Sequence, residues 1–274
     1  MLNTPKNQAE KSFADGKILQ GVQDGVGIIT FNNPDKRNAM SLDMWEGLGQ
    51  SLIELRDDDQ VRVVILTGAG DKAFVSGADI SQFEKTRHNA EASEQYSKRS
   101  AAQRALLADY PKPTIASIRG FCLGGGMQLA MMADIRFAAE NSQFGIPAAK
   151  LGIAYGYDGL RNLVSLVGPS WARLIMYTGM RIDSAEALRI GLVDRVLPDG
   201  ELWEATMAIA RTISGNAPLA IKAAKITIAQ VLKDADARDF GAIKDVGTAC
   251  MDSEDFREGR RAFMEKRKPV FRGK

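Results

Sequence analysis

The sequence predicts an α/β fold, and three observations predict it. Apolar, β-rich stretches alternate with stretches of helical apolar spacing over the first two-thirds of the 274 residues. Glycine-rich turns mark several of the changeovers. From about Pro169 the helical spacing takes over almost completely.

Residues 1–17 are polar and read as a mobile leader. Val26 to Phe31 (VGIITF) is a β-rich run, and it ends in the turn sequence NNPDKRN, Asn32 to Asn38. Ser41 stands at the N-cap position of a periodic run to Arg56, in which Leu42, Trp45, Leu48, Leu52 and Leu55 share one face. An acidic turn precedes a buried-type strand, Val61 to Gly68. Ala90 to Ala108 predicts a second helix, closed by Pro111 and Pro113. Ile115 to Gly120 is strand-like and leads to Gly124–Gly126 and the apolar helical run MQLAMMAD. Ile135 to Ala138 reads as a further strand. Beyond Pro169, WARLIMYTG, SAEALRIG, ELWEATMAIARTI, PLAIKAAKITIAQVL and the tail from Asp252 read as helices, with one short strand, LVDRVL. The expected organisation is a leader over 1–17, an α/β core over 18–200 and a helical region over 201–274.

Composition excludes several function classes. Thirty-six Lys and Arg stand against 34 Asp and Glu, a net charge of +2, so the strong basic field of a nucleic-acid binder is missing. One histidine, His88, cannot build a His-rich zinc site or a two-His iron site. Its polar surroundings, EKTRHNAEASEQ, read as solvated surface rather than as part of a Ser–His–Asp triad. Cys122 and Cys250 lie far apart without a CxxC partner, which points to a reducing compartment. With no long apolar run and no apolar leader, the expectation is a soluble, cytoplasmic protein that engages neither membrane nor nucleic acid and binds no metal.

Two segments carry the chemistry. FCLGGGMQLA sets three glycines between a strand and a helix, where backbone approaches a ligand closely and aims N–H groups at it. Neither GxGxxG nor GxxxxGK[ST] occurs, so dinucleotide and P-loop readings lack their fingerprints. The structural alternative is tight helix–strand packing. AFVSGADI, Ala73 to Ile80, places small residues at a second strand end. Two such turns can each direct one backbone N–H at a single oxygen, which makes an oxyanion hole.

Taken with NNPDKRNAMS, SQFGIPAAKLGI, ALRIGLVDRVLP and EGRRAFMEKRKPVF, these segments give a chain that resembles the crotonase superfamily, also called the enoyl-CoA hydratase/isomerase family, over nearly its whole length. The resemblance implies a spiral of ββα units with a C-terminal helical trimerisation region, assembled as trimers or paired trimers. It implies acyl-CoA thioester substrates, no permanently bound cofactor, and coenzyme A present only as part of the substrate. By motif position the oxyanion donors would be the N–H groups of Ala78 and Gly125. The coenzyme A contacts would fall on Lys36, Arg37, Ala39, Ala78, Asp79 and Ile80. Phe263 and Lys266 would add others, often supplied by a neighbouring subunit. Residues 257–274 hold eight Lys or Arg against two Glu, which suits an anionic cofactor end; an ordinary solvated helix is the structural alternative.

The resemblance breaks where hydratases of the family carry two glutamates. One position is Gln128 here and the other, in FGIPAA, is Ala148. Glutamine orients water but takes up no proton at neutral pH, and alanine offers nothing. General acid–base help is worth about 10²–10⁴-fold per group, so the ordinary two-glutamate hydration is not expected. The next loop, KLGIAYGYDGLRNLVSLVG, offers Tyr155, Tyr157 and Asp158. Other members place a catalytic Asp two positions before Asp158, where this chain has Gly156. The run LGIAYxxxGLxNL resembles family decarboxylases of malonyl-type esters, although those often carry His in place of Ala78. For Asp158 the structural reading is an N-cap to the following helix, and the tyrosines also suit a pocket wall. The expected function is acyl-CoA chemistry through a stabilised enolate. An atypical proton-transfer set drawn from Asp158, Tyr155, Gln128 and water would serve it. Malonyl-type decarboxylation is one alternative and a CoA-thioester-binding protein with little catalysis is the other.

Overall fold

In the computed structural model, which describes residues 11–79, 81 and 90–274, the chain opens with a short strand and a hairpin. Strand β1 (Lys11–Phe13) pairs antiparallel with β2 (Ile18–Gln23), so the leader expected over 1–17 joins the sheet from Lys11 onward. Three residues with little apolar character carry no period-2 signal, which hid this strand from the sequence. β2 turns into β3 (Val26–Phe31) through Asp24 and Gly25, both at positive φ, the geometry that matches strand twist in a two-residue hairpin.

β3 is buried along its whole length, and its two faces serve two cores. Ile29 and Phe31 point into the main core, whereas Val26 and Ile28 point to the opposite side. Helix α1 (Leu42–Asp57) then returns the chain to β4 (Val63–Gly68), parallel to β3. Ser41 holds the cap position of α1 with extended backbone, but its side chain makes no capping bond.

A repeating rhythm follows. β4 is succeeded by β5 (Ala73–Val75), which belongs to a second sheet. After helix α2 (Ala90–Ala108), β6 (Thr114–Ile118) joins the large sheet and β7 (Phe121–Leu123) the small one. Helix α3 (Gly125–Met132) leads to β8 (Ile135–Ala139) in the large sheet and β9 (Gln143–Gly145) in the small. Each turn of the chain thus deposits one strand in each sheet before a helix carries it back. With β10 (Arg181–Asp183) and β11 (Arg195–Leu197) from further along the chain, the large sheet runs β1-β2-β3-β4-β6-β8-β11 and is parallel from β3 onward; the small one runs β10-β9-β7-β5. Phe31, Leu66, Phe74, Ile118, Cys122 and Phe144 belong to the core between them.

A 3-10 turn (Pro147–Leu151) and the long helix α4 (Tyr157–Thr178) follow, the latter broken at Gly168–Pro169. β10 (Arg181–Asp183), α5 (Ser184–Arg189) and β11 (Arg195–Leu197) complete the sheets. Helix α6 (Leu202–Gly215) covers the outer face of the large sheet, where Met207 and Ala210 meet Val26, Val63 and Ile115. Three more helices end the chain: α7 (Pro218–Val231), α8 (Phe240–Met251) and α9 (Glu254–Met264). Helix α8 was not evident in the sequence, because Gly241 and Gly247 dilute its helical signal; Asp239 caps it by accepting from the Ala242 N–H. Among the described residues no helix is long and apolar enough to cross a membrane.

Candidate active site

Two glycines whose backbone angles other residues rarely adopt orient the site. Gly77 has φ of 123° and Gly124 has φ of 52° with ψ of −116°. Each precedes a residue singled out in the sequence, so each fixes the direction of the next N–H, that of Ala78 or Gly125.

The surroundings bring those two residues to one space. Met40 donates its N–H to Gly77 O at 2.8 Å, and its carbonyl accepts from the Asp79 N–H at 2.9 Å. Met40 takes both bonds of this parallel bridge, so the N–H of Ala78 itself faces away from it. Gly125 is the first residue of α3, where N–H groups have no partner within the helix and the helix dipole favours negative charge. A methyl built on Gly125 would stand 3.9 Å from the Ala78 nitrogen, and both residues line one cavity of about 440 Å³.

The cavity wall includes the apolar side chains of Met40, Trp45, Ile146, Leu151 and Ile153. Gln128, one turn along α3 from Gly125, lies on the wall with Tyr155. An added methyl on Gly159 would come within 2.4 Å of Gln128 Nε2 and 3.3 Å of the Tyr155 ring, so α3 and the start of α4 close tightly around both side chains. Burial pushes the Tyr155 phenol up to about 12, against the opposing field of Arg104, so Tyr155 is a proton-bearing donor at neutral pH. Ala148 is buried in the Pro147–Leu151 turn and also lines the cavity. Among the described residues no carboxylate does.

Other expected residues fall elsewhere. Asp158 is exposed in the first turn of α4 and is not among the described residues of the cavity wall. Nor is it the N-cap: Gly156 is the last extended residue and takes that place, while Tyr157 is already helical. Tyr157 is 77% exposed. Ile80 and His88 lie outside the described residues.

The turn expected to meet coenzyme A is tied directly to the Ala78 segment. Asn38 donates to Ala69 O and Ala73 O and accepts from the Asn33 N–H, fastening the turn to the strand ends. Lys36 Nζ donates to Asp79 Oδ2 at 2.9 Å and to Ser81 Oγ at 2.8 Å. Burial disfavours the Asp79 carboxylate, yet the bonds from Ser81 and Lys36 outweigh it and hold its pKa below the ordinary value. The Arg37 guanidinium stacks 5.3 Å from the Phe121 ring, and Ala39 is buried beside Met40. Phe263 (83% exposed) and Lys266, which has a left-handed backbone, stand off the cavity wall of their own chain. The basic tail is partly self-neutralised: Glu258 bonds Arg261 and Arg267. Those two arginines hold the tail together, the structural alternative to an anion site.

The sequence reading missed the contribution of α2. Tyr96, Ser97 and Arg104 reach the cavity from this helix. Their helical spacing is legible, but only the tertiary packing of α2 against α1 turns that face toward the site.

The profile described as Enoyl-CoA hydratase/isomerase matches residues 21–274. The chain belongs to the enoyl-CoA hydratase/isomerase family. Curated relatives include the short-chain-enoyl-CoA hydratase of Clostridium acetobutylicum, 37% identical over 89% of this chain and 92% of that one. The crotonyl-CoA hydratase of Syntrophomonas wolfei is 35% identical over 93% of this chain and 97% of its own length. Among solved structures, an enoyl-CoA hydratase/carnithine racemase from Magnetospirillum magneticum superposes with a TM-score of 0.90 at 36% identity, covering 94% of this chain and 96% of that one. The alternating two-sheet spiral and the helices that follow it are thus those of the hydratase/isomerase family.

Proposed function

We propose that this chain acts on acyl-CoA thioesters by holding the thioester oxygen between the N–H groups of Ala78 and Gly125 while an enolate forms. The observation that carries the reading is the close approach of these two segments across one cavity, each turned by a positive-φ glycine. Fixed donors in a space shielded from water act at the moment negative charge develops on oxygen, and one such donor is worth about 2.7–4 kcal/mol. Lys36, Arg37, Ala39, Asp79 and Ile80 serve the coenzyme A portion, with Phe263 and Lys266 contributed by a neighbouring subunit of a trimer or paired trimers. No permanently bound cofactor takes part. The two unpaired cysteines suit the reducing cytoplasm.

Proton transfer is the unusual part. Tyr155, partly buried, supplies a proton from its hydroxyl, and Gln128 orients water or a substrate oxygen. Asp158, exposed on α4, is assigned no step. A second reading is favoured by the lack of a carboxylate among the described residues of the cavity wall: decarboxylation of a malonyl-type ester. Cleavage of the bond to the departing carboxylate sends its electron pair into the enolate and releases carbon dioxide, with no base required. The enolate carbon then takes the Tyr155 proton, which water replaces.

A mass-spectrometric screen of enoyl- and malonyl-type CoA esters for water gain, isomerisation and carbon dioxide loss tests both readings. Slow hydration of crotonyl-CoA beside faster isomerisation or carbon dioxide loss is the expected pattern. Rapid crotonyl-CoA hydration would overturn the atypical proton-transfer set. Tight binding of every ester without turnover would instead make the chain a CoA-thioester-binding protein.

A further inference from the structure

The direction of the Ala78 N–H depends on how its segment is held. Gly77, at φ of 123°, gives the backbone no stiffness of its own, so ties to neighbouring residues must fix it. Gly77 O accepts from the Met40 N–H at 2.8 Å, and in a trans peptide the next N–H lies antiparallel to that carbonyl. The Asp79 N–H donates to Met40 O at 2.9 Å and completes the bridge on the far side of Ala78. Beyond the bridge the tie is a side chain. Asp79 Oδ1 accepts from the Ser81 N–H at 3.1 Å and from the Ser81 hydroxyl at 2.6 Å. Asp79 Oδ2 accepts from Lys36 Nζ at 2.9 Å, and Lys36 also donates to Ser81 Oγ at 2.8 Å, which closes a ring of three side chains. On the near side the Ser76 N–H donates to Arg37 O at 3.1 Å. Ala78 therefore sits between ties to the turn that carries Lys36 and Arg37.

A carboxylate at this place has to be accounted for. Asp79 is 8% exposed, and a charge withdrawn from water is costly unless it is paired and hydrogen-bonded. It also stands next in the chain to a proposed oxyanion donor, where a bare negative charge would oppose the enolate. Nor does its side chain suit the phosphates of coenzyme A, which carry the same sign. Lys36 answers the first two objections by neutralising Oδ2, and Ser81 satisfies Oδ1. An asparagine could accept at one end only and would set an N–H group against the Lys36 ammonium. We infer that Asp79 is a positioning residue: its carboxylate, clamped between Lys36 and Ser81, holds the Ala78 N–H at the angle that oxyanion stabilisation needs. The inference rests on the acyl-CoA reading above, and it leaves only the backbone of Asp79 to the coenzyme A contact.

The test reads the thioester carbonyl itself. Butyryl-CoA, isotopically labelled at that carbonyl, has no double bond to react and is followed at saturation by difference infrared spectroscopy on the whole protein. Hydrogen bonds to the oxygen lower its stretching frequency. The unaltered protein is expected to show that lowering, Asp79→Asn a smaller one, and Asp79→Ala the smallest. On whichever ester is turned over, Asp79→Asn should lower kcat by about tenfold or more and change KM less than kcat. Outright loss of one oxyanion donor, at about 10²–10³-fold, is the upper bound. A residue that only supports the fold would reduce the amount of competent protein and leave the shift at saturation unchanged. An undiminished shift in both variants, or a raised KM at constant kcat, would overturn the inference and leave the acyl-CoA reading standing. Where Asp79→Ala does not fold, the near-isosteric Asp79→Asn decides alone. Butyryl-CoA that does not bind the unaltered protein, or binds with no lowering, would overturn the oxyanion reading and this inference with it.

Discussion

At the scale of single residues, the site depends on backbone direction more than on reactive side chains. Gly124 combines φ of 52° with ψ of −116°, a pair of angles that no Cβ-bearing residue adopts without strain. Gly124→Ala is expected to relax toward ordinary angles and swing the Gly125 N–H away from the cavity. The cost to stability is about 1–3 kcal/mol by denaturant unfolding. The cost to kcat is about 10²–10³-fold, the value of one oxyanion donor. A kcat within tenfold of the unaltered enzyme would remove Gly125 from the proposed role. Tyr155 gives a pH signature. Burial raises its pKa from the ordinary 10 to about 12, so the folded state holds this proton more firmly than the unfolded one. The stability linked to the neutral phenol is complete below pH 10 and is lost as pH rises through about 12. The difference in phenolate absorbance between the unaltered protein and Tyr155→Phe should therefore titrate near 12, and an ordinary midpoint near 10 would contradict a buried hydroxyl.

At the scale of elements, legibility in the sequence followed length and burial. The large-sheet strands Val26–Phe31, Val63–Gly68 and Ile135–Ala139 carry enough apolar residues to be read, and the helix Ala90–Ala108 is rich in the strong helix formers Ala, Glu, Gln, Lys, Arg and Leu. The small sheet was all but invisible, because β5, β7, β9 and β10 are three residues each and no period fits into three positions. The glycine turns marked the proposed donor positions, yet spacing alone could not distinguish an oxyanion role from close packing. At neighbouring residues the structure shows a turn at positive φ and a close packing contact. Gly124 orients, whereas Gly126 packs: a methyl on Gly126 would lie 2.0 Å from Val75 O and 2.8 Å from Val75 Cβ. Helix α3 therefore rests directly on the backbone of β5, the strand that leads to Gly77 and Ala78. Gly126→Ala has the Val75 backbone and Cβ to displace, neither of which can swing aside, and urea unfolding should show a loss of about 3 kcal/mol or more. A loss under about 1 kcal/mol would mean that α3 is free to slide on β5, and that the two donor segments are not held in register by this contact.

At the scale of the whole molecule, charge and apolar surface point to different kinds of partner. A net charge of +2 gives no long-range pull toward polyanions, so any coenzyme A attraction is local. The C-terminal helices, in contrast, expose apolar side chains that a lone chain gains nothing by showing to water. Ile228, Val231 and Leu232, at spacing that shares one face of α7, are 60%, 62% and 65% exposed, and Phe240 on α8 is 68% exposed. Covering that face with second and third copies of the chain, as in the trimer proposed above, would account for it. It also gives Phe263 and Lys266, which do not reach the cavity of their own chain, a neighbouring site to serve. Sedimentation velocity should then return three times the 29.8 kDa of the chain, or six times if trimers pair. Val231→Glu should break the assembly by burying an unpaired charge. If assembly brings Phe263 and Lys266 to the coenzyme A end of a neighbour, the same substitution, far from Ala78 and Gly125 in sequence, should weaken coenzyme A binding in parallel. A monomer that binds coenzyme A as tightly as the unaltered protein would separate the two ideas, leaving the helices as an assembly device and the site as the property of one chain.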